Sequence, residues 1–193
     1  MSVLVLVAVV FVGSSLRAPE MATYAPTNVL PVEVGAAMVG PRTVTIDAAG
    51  SERWRFFDFS RGSVVERLSP TGWDLAFRRF QIAVNGGAGF AGEGGAVDLG
   101  EVVFDSVRSV PVDGYVQATT AKDSVNAAVG RWYDYSWTSH VLTPKANVYA
   151  IRTADGRYAK LQIVGYYCEG AVAGCPTFRY VYQGAGGTDV GVR

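Results

Sequence analysis

The sequence holds one histidine, His140, and two cysteines, Cys168 and Cys175. That scarcity leaves a zinc site built on His and Cys without its three or four ligands. The cysteines are not spaced as CxxC, which disfavours a redox pair. An excess of charge of either sign is also missing. Seventeen basic residues balance seventeen acidic ones, and no basic patch recurs, which argues against nucleic acid as a partner. The longest apolar run, residues 3–12, is too short to cross a bilayer, so no membrane-spanning domain is expected. Leucine is scarce beside valine, tyrosine and phenylalanine, and windows rich in helix formers are rare. The composition is that of an all-β protein with at most one short helix.

The residues that are present divide the chain into three parts. Residues 1–18 form a signal-like apolar segment. Gly13-Ser14-Ser15 follows the apolar run as in the core of a secretion signal, although a basic leader is missing and a buried strand is the rival reading. No cysteine near this run offers an attachment point for lipid. Residues 19–42 are punctuated by Pro19, Pro26, Pro31 and Pro41 and read as a linker. Residues 43–193 read as a single β domain, long enough for a core of its own. Cys168 and Cys175 bracket a short loop, and a disulfide there fits an exported protein. Closing so short a loop contributes about 2–3 kcal/mol in the chain-entropy treatment.

Within the third part, turn signals recur every eight to twelve residues between short runs of aromatic and β-branched residues, the spacing of a sandwich or barrel. Residues 43–47, 53–59 and 63–68 read as strands. Trp73, Leu75 and Phe77, then Phe80, Ile82 and Val84, alternate along what reads as one long strand with a bulge at Arg78-Arg79. Gly87, Gly89 and Gly92 spell GxGxxG, but residues 96–99 beyond them read as strand. A dinucleotide site needs a helix there, so this is a hairpin connection. Residues 117–128 are the one candidate helix. Residues 147–153 and 157–167 flank Asp155-Gly156, a tight-turn signal. Phe178, Tyr180 and Tyr182 share a face of the last strand, and the glycine-rich tail from Gly184 reads as frayed.

Several strings lie in a telling order: Thr45-Ile46-Asp47-Ala48, Trp73-Asp74-Leu75-Ala76-Phe77-Arg78-Arg79, Asn85-Gly86-Gly87, the strand from Val148 to Thr153, Tyr158-Ala159-Lys160-Leu161-Gln162, and Tyr166-Tyr167. Together they resemble the HmuY-like family of exported haem-binding proteins, over roughly residues 43–183. The resemblance implies twisted antiparallel sheets in a sandwich-type arrangement. It implies a secreted, outer-surface or periplasmic location, a part in haem and iron acquisition, and delivery to an outer-membrane haem receptor. It implies a binding protein rather than an enzyme.

The chain departs from the family in its ligands. Relatives hold haem iron between two histidines or use methionines. Here bis-histidine ligation is impossible within one chain, and His140 is the metal ligand that the resemblance implies. The loop 107–114, where a second ligand is sought, holds no His, Met or Cys. Met38 and Tyr135 are the substitutes considered. Tyr135 and Trp137 lie close to His140 in sequence for stacking on a porphyrin, and Arg131 or Lys145 for its propionates. The plainer readings are that His140 is an ordinary loop residue, that Trp132, Tyr133 and Trp137 are sheet core or rim, and that Asp74 pairs with Arg78 or Arg79. The same fold without haem binding, serving as a surface module for another ligand, a glycan or a protein, is the alternative function. A hydrolase is the third reading, and it lacks a GxSxG string beside the sole histidine.

Overall fold

The computed structural model describes residues 21–28, 38–67, 69–122 and 124–192. The signal-like segment 1–18 lies outside them. The described residues form twelve strands: β1 (Thr23–Tyr24), β2 (Met38–Thr45), β3 (Arg55–Asp58), β4 (Ser63–Val65), β5 (Leu75–Arg78), β6 (Gln81–Val84), β7 (Gly95–Glu101), β8 (Tyr133–Tyr135), β9 (Leu142–Pro144), β10 (Asn147–Arg152), β11 (Tyr158–Cys168) and β12 (Ala173–Gln183). One sheet runs β2-β12-β11-β10-β7, with β1 added in parallel to the end of β11. A second runs β4-β3-β5-β6, and β8 and β9 form a separate ribbon. The protein is all-β, and apart from β1 the strand pairings are antiparallel.

The two main sheets meet face to face through aromatic rings. The period of two in β12 turns Phe178, Tyr180 and Tyr182 to one side, where all three are buried. Phe178 stacks on Phe77 with centroids 5.4 Å apart and meets Phe57 edge-on at 5.2 Å, and Tyr180 meets Phe59 at 5.2 Å. Each such pair adds about 0.5–1.5 kcal/mol beyond the area it buries. Two smaller apolar clusters cover the outer faces. Phe104, Val110, Val148, Ala150, Val181 and Val190 pack on the larger sheet, and Trp73, Ala76 and Ala83 on the smaller.

Several elements differ from the sequence-based expectation. The stretch expected as one long strand is a hairpin, with Phe77 opposite Ile82 and Arg78 opposite Gln81. Arg79 takes a positive φ of 53° in the two-residue turn. The slip in apolar phase at Arg78-Arg79 marks a reversal of the chain, because Phe77 and Ile82 face the same side from opposite strands. The described residues of 117–128 are not helical. Asn126 instead accepts the N–H groups of Ala128 and Val129 on Oδ1 and donates Nδ2 to the Val116 carbonyl, so local side-chain bonds outcompete helix. Residues read as linker join the sheet as β1 and the first half of β2. The tail is pinned: Val110 N–H donates to Thr188 O, Val190 N–H donates to Arg108 O, and Val190 is buried. The glycine-rich loop is a tight crossing. A Cβ on Gly86 would lie 1.8 Å from the Gly94 carbonyl oxygen, and the chain then enters β7 with no helix. Cys168 and Cys175 are joined in a disulfide.

Asp74 makes no pair with Arg78 or Arg79. Arg78 donates to Gln81 and lies over the Trp54 ring. Asp74 is buried and accepts the backbone N–H of Phe59 at 2.8 Å and of Ala154 at 2.9 Å. It thereby ties the end of β3 to the β10–β11 turn in the other sheet. Burial raises its pKa to about 7, with Asp58 adding to the rise and the two N–H bonds opposing it. An acid whose folded pKa lies above its unfolded value near 4 binds its proton better in the native state. Its contribution is full below about pH 4 and is lost as pH rises to about 7, by on the order of 4 kcal/mol. Denaturant midpoints at pH 5 and pH 8 test this. The stability of the wild type relative to Asp74→Asn is expected to be greater at pH 5, and a difference independent of pH refutes the assignment.

Candidate functional site

The β8–β9 ribbon projects from the sandwich on a fixed base. Trp132, which precedes it, is fully buried and donates Nε1–H to the Phe80 carbonyl at 2.9 Å. Lys145 N–H, just past β9, donates to the Trp132 carbonyl, and Leu142 N–H donates to the Tyr167 hydroxyl, both at 2.8 Å. The ion pair between Lys145 and Asp134, 3.8 Å apart with Asp134 well exposed, adds little. The register Tyr133↔Pro144, Asp134↔Thr143 and Tyr135↔Leu142 leaves 136–141 as the tip.

The tip is held by its own serines. Ser136 Oγ accepts from Ser139 Oγ at 2.8 Å and from Ser139 N–H at 3.3 Å, and His140 N–H donates to the Ser136 carbonyl at 2.8 Å. This closed turn puts His140 at φ 56°, a left-handed conformation that histidine enters more readily than β-branched residues do. Its imidazole Nδ1 shares a short hydrogen bond with the Tyr135 hydroxyl. Tyr135 is 41% exposed and Trp137 82% exposed, with their rings 5.3 Å apart at centroids, and His140 is exposed beside them. Tyr135, Trp137 and His140 thus form one aromatic tip, with the imidazole held through Nδ1.

The other proposed residues fall elsewhere. Arg131 ends a single 3-10 turn at the foot of the ribbon. Met38 pairs with Gln183, which pairs with Tyr158, so it lies at the far end of the larger sheet. From Tyr158 to Tyr166, beside the ribbon, is eight residues, about 26 Å. Met38 therefore does not stand opposite His140. Tyr135 touches the imidazole itself and backs His140 rather than facing it. Of the aromatics grouped together in sequence, Trp132 is core, Tyr133 is half-buried and Trp137 is out in solvent.

A groove of about 450 Å³ opens at the ribbon's foot, within the usual range of small-molecule sites. Its mostly apolar walls include Met21, Val141, Leu142, Pro144, Ile163 and Tyr166, with Lys145 among them. β10 pairs with β11 up to Val148↔Gln162 and β1 begins at Thr23↔Tyr167, so the groove follows the stretch of β11 between its two edge partners. Tyr24 is clamped on Gly165, where a Cβ would lie 2.1 Å from its ring. His140 does not line the groove, but its neighbour Val141 does. Nothing in the sequence marked Met21 or Tyr166 as neighbours of the ribbon, because strand pairing brings them there.

The described residues include no cluster of three or more His, Cys, Asp or Glu able to hold a metal ion, and no helix among them is long and apolar enough to cross a membrane. A family model described as HmuY protein matches residues 51–180. No curated protein matches the chain. Among the solved structures that share its fold are three. The apo HmuY analog of Tannerella forsythia is 18% identical, with TM-score 0.62, covering 78% of this chain and 99% of its own. A Bacteroides vulgatus ATCC 8482 protein, provisionally described as HmuY-like and heme binding, is 24% identical, with TM-score 0.59, covering 78% and 98%. A Bacteroides fragilis NCTC 9343 protein, provisionally described as a lipoprotein, is 18% identical, with TM-score 0.57, covering 79% and 95%.

The contrast between the two tryptophans is testable by denaturant unfolding. Trp132→Ala is expected to cost about 3–5 kcal/mol, as for a large aromatic removed from a core. Trp137→Ala is expected to leave stability within about 0.5 kcal/mol of the wild type. A large loss in Trp137→Ala refutes the exposed placement of that side chain.

Proposed function

The chain belongs to the HmuY family, and from that premise we propose that it is an exported haem-binding protein of haem and iron acquisition, presenting His140 as its one imidazole ligand. The observation that carries this reading is the His140–Tyr135 pair. A ligating imidazole uses one nitrogen for the metal and gives its other N–H to an acceptor, which orients the ring and raises its basicity. With the Tyr135 hydroxyl on Nδ1, Nε2 is the coordinating atom. The chain's own donor set would offer a haem iron this one imidazole nitrogen. Bound haem supplies the iron that accepts this nitrogen and a flat apolar face. Trp137 would lie against that face, Tyr135 would hold the imidazole from behind through Nδ1, and the groove below the ribbon would take the apolar edge. Lys145, in the groove wall, and Arg131, at the ribbon's foot, are the cations for the propionates.

Export is supported by the disulfide between Cys168 and Cys175, a bond at home in oxidising compartments. An outer-membrane haem receptor is the partner to which cargo would pass. We infer binding rather than catalysis because the sole imidazole is bonded to a phenol and not to a serine nucleophile. A second reading, the same scaffold with haem binding lost and another ligand in its place, is favoured by the exposure of His140, which lies outside the lining of the groove.

Hemin titration followed at the Soret band decides between them. The wild type is expected to give a shifted band saturating at one equivalent. His140→Ala should lose that shift, and Tyr135→Phe should weaken hemin binding by about 10–100-fold. A wild-type spectrum identical to free hemin overturns the haem reading and leaves the second.

A further inference from the structure

The outer face of the larger sheet carries a second feature, away from the ribbon. Gln162 on β11, Arg179 on β12 and Thr43 on β2 lie side by side in register. Arg179 donates Nε–H to Gln162 Oε1 at 2.8 Å, and its guanidinium carbon sits 4.3 Å from the centroid of the Phe104 ring. That ring is fully buried and also receives Lys160 Nζ at 4.5 Å. Lys160 is itself buried and donates to the carbonyls of Phe104 at 3.0 Å and Val107 at 2.7 Å, which fixes the segment leading to Arg108. The Arg108 carbonyl accepts the Val190 N–H, so the tail closes the far side. Between these walls is a groove of about 590 Å³ lined by Arg42, Thr43, Phe104, Asp105, Arg108 and Arg179.

Charge at the groove is positive on balance. Burial lowers the pKa of Lys160; Asp105 opposes that effect, Arg179 and Arg108 add to it, and Asp189 opposes it. In the groove lining itself, Arg42, Arg108 and Arg179 stand against the one carboxylate of Asp105. The ion pairs among the described residues use Arg61, Lys145, Arg152 and Arg157, and none uses Arg108 or Arg179. Both arginines reach this groove while holding no carboxylate.

We propose that this groove is an oxyanion-binding site, separate from the aromatic tip, that takes a carboxylate or phosphate group of a small molecule. Gln162 occupies the Nε of Arg179 and Phe104 holds its plane, so the two Nη atoms remain as a fork of fixed direction. Such a fork matches two oxygens of one anion. A side chain already held in place loses little freedom on binding. Arg108 closes on the same anion from the loop. Asp105 on the rim repels a second negative group, which selects singly charged oxyanions or ligands with a hydroxyl or ammonium for its carboxylate.

Titration of the full chain with inorganic phosphate and, separately, acetate, at ionic strength held constant with sodium chloride and followed by NMR amide shifts, tests the site. At least one anion is expected to give saturable shifts around residues 104–108 and 179, and the anion that does so distinguishes phosphate from carboxylate. Arg108→Ala, an exposed position whose loss spares the fold, should weaken binding tenfold or more. Arg179→Lys, which keeps charge but removes the fork, should do the same, while hemin titration of Arg108→Ala stays as in the wild type. Shifts that never saturate with either anion, or equal affinity in the wild type and Arg108→Ala, overturn the proposal.

Discussion

The stacking of Phe178 on Phe77 is the contact on which the rest of the molecule depends. A four-stranded sheet and a six-stranded sheet each present one apolar face, and neither is stable with that face in water. The two rings belong to different sheets, and Phe57, Phe59, Tyr180 and Tyr182 extend the same seam. Asp74 works at the margin of this seam. It joins β3 to the β10–β11 turn through two backbone N–H groups and so restricts how the sheets can slide. The rings supply the burial and the carboxylate restricts the geometry, at the cost of a buried acid whose charge the site resists.

A frame closed in this way leaves the β8–β9 ribbon free to be something else. Its base is welded to the core by the Trp132 indole and the Tyr167 hydroxyl. Apart from Val141, which packs on the core, its tip faces outward and exposes three ring systems at once. Exposed large aromatics cost solubility and return no fold stability, so a cluster of them is better explained by contact with something else than by packing. The left-handed backbone at His140 points the same way, since strain of this kind persists only where the surrounding turn enforces it. The serine bonds of residues 136–139 supply that enforcement.

Much of the frame was legible in the residues. The alternation of Phe178, Tyr180 and Tyr182, the Asp155-Gly156 turn and the cysteine pair are local signals, and each reads correctly from a few neighbours. GxGxxG was readable as a loop because the strand after it is also local. The misreadings arise where a residue's partner, near or far in the chain, is not signalled by its type or phase. Arg78-Arg79 looked like a bulge because a phase slip has the same appearance whether a strand bends or reverses. The helix expected over residues 117–128 lost to bonds made by Asn126, one of them to Val116 across the loop. Asp74 seemed to have an arginine partner because its true partners are backbone groups, one of them 80 residues away. At the candidate site, the neighbourhood of Tyr135, Trp137 and His140 was visible in sequence. The split between buried Trp132 and exposed Trp137 was not, since it turns on which ring reaches the Phe80 carbonyl.

The period of two that builds the core also builds the outer groove. On β12, Phe178 and Tyr180 point inward and Arg179 between them points outward, so one strand serves both the aromatic seam and a cationic surface. Gln162 occupies the matching outward place on β11, and its amide is fixed at both ends. Oε1 faces the Arg179 Nε–H, and Nε2 donates to the Ala146 carbonyl at 2.7 Å. Ala146 lines the groove at the foot of the ribbon, as Gln162 itself does. An amide reversed end for end would set two donors against each other at the arginine and two acceptors against each other at the carbonyl. Its orientation is therefore dictated by the two grooves together, and the side chain that steadies the arginine of one is the same side chain that forms part of the wall of the other.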